Sequence, residues 1–111
     1  HPIFIKNNVD VTFVMEKAIQ CQEKISIVHD SVAWLEMQID DAATEFDDLQ
    51  NGFYDHLDEI EKQKMRVSLN KRIKHLFNKN RMESKLLDTL ESEMQDIDLL
   101  FERLTRAKKE E

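Results

Sequence analysis

Gly52 is the only glycine in a chain of 111 residues, and Pro2 is the only proline. Tight hairpins, barrels and phosphate-cradling loops need glycine, so this scarcity excludes most folds. Long helices joined by few turns remain. A turn has one obvious place, Asn51-Gly52, inside the stretch DDLQNGFYDHLDE. Just past its last turn a helix favours a left-handed residue, glycine above all. Glycine inside a helix costs only about 1 kcal/mol relative to alanine, so propensity alone leaves a continuous helix open.

The apolar pattern gives the helices their faces. Positions alternately three and four apart run Val11, Val14, Ala18, Cys21, Ile25, Val28, Val32, Leu35, Ile39, Ala42, Phe46, Leu49, all of them apolar or small. That spacing presents one continuous seam to a partner helix. Ile27, Trp34 and Met37 form a second stripe beside it, which a two-stranded pair would leave in water and a third helix would cover. Leu87, Leu90, Met94, Ile97, Phe101 and Leu104 repeat the seam near the C-terminus. A less regular face joins Leu57, Ile60, Met65, Leu69, Ile73, Leu76 and Phe77.

Charge argues for the turn. From Ile25 to Glu61 there are eleven acids and no Lys or Arg; from Lys62 to Met82 there are eight basic residues and no acid. From Glu83 to Glu102 seven acids face one lysine. A chain that reverses near residue 52 lays the basic block against the acidic stretch 28–44. Exposed pairs contribute only about 0–1 kcal/mol each, so they select direction more than they stabilise. Asp55 is the expected N-cap of the next helix, with Asp58 in its first turn. Asn80-Arg-Met-Glu83 has the form of a capping box and predicts a third start.

The expected fold is therefore all-α: long heptad-patterned helices in an antiparallel three-helix bundle or coiled-coil assembly. Helices are predicted at about 10–50, 54–78 and 81–108, or roughly 60, 37 and 42 Å at 1.5 Å per residue. Residues 10–111 form one module, and 1–9, with the strand-like HPIFI, an N-terminal extension. Because residue 1 is His, the piece is expected to come from a longer protein. The first helix should overhang its companions over 11–25. The predicted interface is Val11, Val14, Ala18, Cys21, Ile25 and Val28, with Trp34 as the aromatic anchor.

Chemistry is sparse. His1, His29, His56 and His75 show no metal-ligand spacing. The carboxylate-rich start around Asp55, Asp58 and Glu59 reads as a capped helix. Cys21 sits at a seam position, where a small core residue is expected in place of a nucleophile, and as the lone cysteine it can form no internal disulfide. Paired acids such as Asp40-Asp41 read as a solvated face. No catalytic residue, cofactor, metal or small-molecule substrate is expected. A net charge of −7 disfavours nucleic acid. No apolar run approaches the roughly 18 residues of a membrane span, and an intracellular setting, cytoplasmic or nuclear, is the default. The stretch KQKMRVSLNKRIKHLFNKNR is a basic amphipathic helix, with Lys71, Arg72 and Lys74 available to an acidic partner, although acidic flanks could satisfy it internally.

The segment Glu45-Phe46-Asp-Asp-Leu49-Gln50-Asn-Gly52-Phe53 resembles the end of the first helix of BAG domains. The resemblance implies a three-helix co-chaperone module that binds the nucleotide-binding domain of heat-shock chaperones. Elsewhere the chain departs from that family. BAG domains carry acidic contact residues on their second helix, where this chain is basic from 62 to 81. Their third begins with an Arg-Lys pair and a later Gln, where this chain reads RMESKLLDTLE, so no contact residue carries over.

Two functions follow as expectations. One is a non-enzymatic helical interaction module for self-association or hetero-assembly of a larger protein. The other is a monomeric regulatory binding domain, BAG-like or gripping an acidic partner through its basic helix.

Overall fold

The computed structural model describes the backbone of residues 2–110 and the side chains of residues 11–106. Two helices account for nearly all of it: α1, Pro2–Gln50, and α2, Glu59–Glu110. The chain is all-helical with helix–helix contacts. It divides into two compact units, one of residues 1–29 with 85–111 and one of residues 30–84.

In the 30–84 unit the turn falls at Asn-Gly, as the sequence predicts. Asn51 N–H donates to the Asp47 carbonyl at 2.9 Å, and Phe53 N–H reaches back to the Asp48 carbonyl at 3.1 Å. That six-to-one bond is the mark of a Schellman C-cap, and it requires a left-handed residue between. Gly52 supplies it with φ +88°. The N-cap of α2 differs from the expected Asp55. Asp58 accepts from Glu61 N–H at 2.8 Å, the geometry of an N-cap bonding its third helical residue. Asp55 instead holds the Lys62 ammonium at 2.9 Å, with Glu59 at 3.6 Å. The hydrogen bond to Asp55 is the main reason that the Lys62 pKa lies above the ordinary 10.5.

The seam of α1 matches its prediction position by position. Val14, Cys21, Val28, Leu35, Ala42 and Leu49, seven residues apart, are all buried. The alternating set Val11, Ala18, Ile25, Val32, Ile39 and Phe46 is half-buried throughout. In the 30–84 unit the core is Leu35, Ala42 and Leu76, flanked by Ile39 and Ile73. Each fully buried leucine contributes about 1.5–3 kcal/mol. In the other unit, Cys21 of α1 meets Leu90 of α2.

Where helices at 54–78 and 81–108 are predicted, one helix runs from Glu59 to Glu110. Asn80 and Glu83 lie inside it, at half-buried seam positions. With neither glycine nor proline there, nothing stops propagation, and Asn in a helix interior costs under about 0.7 kcal/mol. The predicted overhang of α1 over 11–25 is likewise absent: α2 continues past residue 85, and Cys21 of α1 meets Leu90 of α2 in the unit of residues 1–29 with 85–111. The HPIFI opening is helical from Pro2, not strand-like; its side chains, like residue 1 itself, lie outside the described residues.

Candidate interaction surface

The predicted interface residues divide by role. Val14, Cys21 and Val28 are 4–6% exposed and Val11, Ala18 and Ile25 half-buried within a single chain. In the unit of residues 1–29 with 85–111 their cover is α2 of the same chain. There the Cys21 thiol donates to the Leu90 carbonyl at 3.3 Å, and burial raises its pKa, helped by Glu93 and opposed by Lys24. Those features describe a core residue. His29 and Glu91 lie 3.8 Å apart on the same unit's surface, both half exposed.

The second stripe is uncovered. Ile27 is 68% exposed in one unit, and Trp34 and Met37 are 52% and 55% exposed in the other; no third helix covers them among the described residues. In all, fifteen large apolar side chains are exposed against nine buried apolar residues among those described.

Trp34 belongs to a face that can be built residue by residue. In the 30–84 unit, Arg72 Nη2 donates to Gln38 Oε1 at 3.2 Å, and Arg72 Nη1 lies 3.8 Å from Glu45 Oε2. These contacts bring one row of α1 beside one row of α2. On α1, steps of four and three link Trp34, Gln38, Asp41, Glu45 and Asp48. On α2, the same steps link Ser68, Arg72, His75, Lys79 and Met82. All ten are exposed except half-buried Gln38 and Asp48. The face is an acidic row against a basic row, with Trp34 and Met82 (70% exposed) on the side away from the turn.

Of the predicted electrostatic contacts, Arg72 pairs across to α1, whereas Lys71 and Lys74 are exposed and make no ion pair among the described residues. The seam of α2 includes residues that an apolar pattern cannot reveal. Lys62 has a side chain only 13% exposed, and the buried Oδ1 of Asn80 accepts no hydrogen bond from any of the described residues. Regular seven-residue spacing back from Leu69 and Leu90 is the signal that could have found Lys62 and Glu83.

Among the described residues, no group of three or more His, Cys, Asp and Glu is placed to hold a metal ion, and no helix is long and apolar enough to cross a membrane. The two described helices also differ from the three implied by the BAG resemblance. The chain matches no protein family, no curated protein and no solved structure.

Proposed function

We propose that this chain is a non-enzymatic helical interaction module, serving self-association or hetero-assembly of a larger protein, whose working surface is the Trp34 face. The observation that supports it most is the exposure of large apolar side chains at helical spacing beside a completed seam. In the 30–84 unit Trp34 and Met37, three residues apart on α1, are 52% and 55% exposed, and exposed apolar side chains rimmed by polar ones mark interaction sites. The seam of 11–28 serves intrachain packing in this reading, and a helix from another chain supplies the cover expected of a third helix. Large aromatics dominate interface energetics, which makes Trp34 the anchor. Equilibrium sedimentation across a tenfold concentration range tests it, alone and with candidate helical partners. Association should exceed the 13.2 kDa of one chain and be weakened by Trp34→Glu with helicity retained. Association indifferent to that substitution sinks the assignment of the surface.

A second reading rests on Lys71 and Lys74. Both are exposed and unpaired among the described residues, which leaves them free for an acidic partner. Binding to such a partner would then fall steeply with salt and be lost in Lys71→Glu with Lys74→Glu. Salt-independent binding argues against it.

A further inference from the structure

We infer that the occupant of the Trp34 face is a second copy of this chain, packed so that the acidic row of each copy lies over the basic row of the other. This rests on the interaction-module reading and names its partner. The argument is one of charge complementarity. Within residues 30–84, the α1 row carries Asp41, Glu45 and Asp48 and no base, while the α2 row carries Arg72, His75 and Lys79 and no acid. Among the described residues, only Arg72 and Glu45 of these six form an ion pair, at 3.8 Å. Asp41 and Lys79 are exposed and make no ion pair among the described residues, and Asp48 is half-buried.

Two identical faces can meet about a two-fold axis in two ways. With the axis along the helices, α1 of each copy lies over α2 of the other, and every row meets the opposite sign. With the axis across the helices, α1 lies over α1 and α2 over α2, and every row meets its own sign. The face is thus its own complement in one orientation and repels itself in the other. A foreign partner would have to bring the same two-signed pattern, whereas a second copy already carries it. Exposed ion pairs add little affinity, so here they choose the orientation. Burial of Trp34 and Met82, 52% and 70% exposed in the single chain, supplies the driving force. In that orientation Trp34 comes over the basic row around His75 and Lys79 of the second copy, where a cation can sit on the indole face. The assembled object is a four-helix arrangement.

Paired charge reversals test this. One variant carries Asp41→Lys, Glu45→Lys and Asp48→Lys; the other carries Arg72→Glu, His75→Glu and Lys79→Glu. By sedimentation, the wild type should reach twice 13.2 kDa. Each variant alone should dimerise at least about tenfold more weakly, and an equimolar mixture should recover the dimer as a heterodimer. Circular dichroism checks helicity; if a triple variant unfolds, the single reversals Asp41→Lys and Lys79→Glu, both at exposed side chains, give the same comparison. A wild-type dimer that neither variant weakens overturns the face while self-association stands. A wild-type monomer that binds another helical protein overturns the second copy while the interaction module stands. A monomer that binds nothing overturns both.

Discussion

The thiol of Cys21 donates to the backbone carbonyl of Leu90 across 3.3 Å, joining residues 69 apart in the chain. The bond exists only while α1 and α2 are packed together in their unit, so the thiol reports on that packing. Labelling by a thiol reagent at neutral pH should be slow in the native protein and accelerate as denaturant opens the seam. Labelling as fast as in an unfolded peptide would contradict the placement. Burial, then Glu93, holds the thiol above its ordinary 9.0 in the folded state. Its contribution to stability is therefore complete below pH 9.0 and is lost as pH rises through the folded value, because the unfolded chain ionises first. Cys21→Ala should flatten that part of the stability–pH curve measured by urea unfolding.

Gly52 offers a sharper test of the turn. Its φ is +88°, and an added Cβ would lie 2.9 Å from Oδ2 of Asp55. Gly52→Ala should cost about 1–2 kcal/mol from the left-handed backbone alone, plus whatever displaces Asp55 from Lys62. Gly52→Asn should cost less, since Asn tolerates this region. Equal effects of the two in chemical denaturation would contradict the C-cap.

Leu35 and Trp34 are neighbours with opposite fates. Leu35 is 1% exposed and Trp34 52%. Leu35→Ala should destabilise the fold by about 2–5 kcal/mol. Trp34→Ala should change the stability of the single chain by about 0.5 kcal/mol or less while weakening association. Denaturation at low concentration separates the two effects.

Asn80 should behave unlike a seam leucine. Its Oδ1 is buried with no partner among the described residues, and an orphaned polar group costs about 1–3 kcal/mol. Asn80→Leu should therefore raise the thermal midpoint. A buried polar residue at a seam position can also enforce register. The more stable variant should then show additional assemblies in sedimentation. A lowered midpoint would mean that Asn80 is satisfied in solution.

What was legible in the sequence follows from what the apolar pattern encodes. The seam of α1 could be read because each of its positions is apolar or small, from Val11 to Leu49, so spacing alone defined the buried face. The turn could be read because Gly52 is the only residue free to adopt its backbone without strain. The seam of α2 could not be read through, because Lys62, Arg66, Asn80 and Glu83 occupy half-buried positions in it. There the periodicity breaks although the helix does not. The Asn80–Glu83 pair then imitates a helix start, since a short polar side chain three residues before a carboxylate is the same signal at a cap and in mid-helix. Read as a start, the pair divides α2, implies a bare overhang at 11–25, and supplies the third helix that the exposed Ile27, Trp34 and Met37 stripe calls for. With α2 unbroken, the overhang is packed and the Trp34 face is bare.

Trp34 is the chain's sole tryptophan, so its fluorescence measures the proposed surface directly. The decisive measurement is its emission maximum and acrylamide quenching across a concentration range in which mass is followed in parallel. If this face is where the chain associates, emission shifts to shorter wavelength and quenching falls as mass rises above 13.2 kDa. Mass that rises while Trp34 stays as exposed as in the single chain would contradict the account.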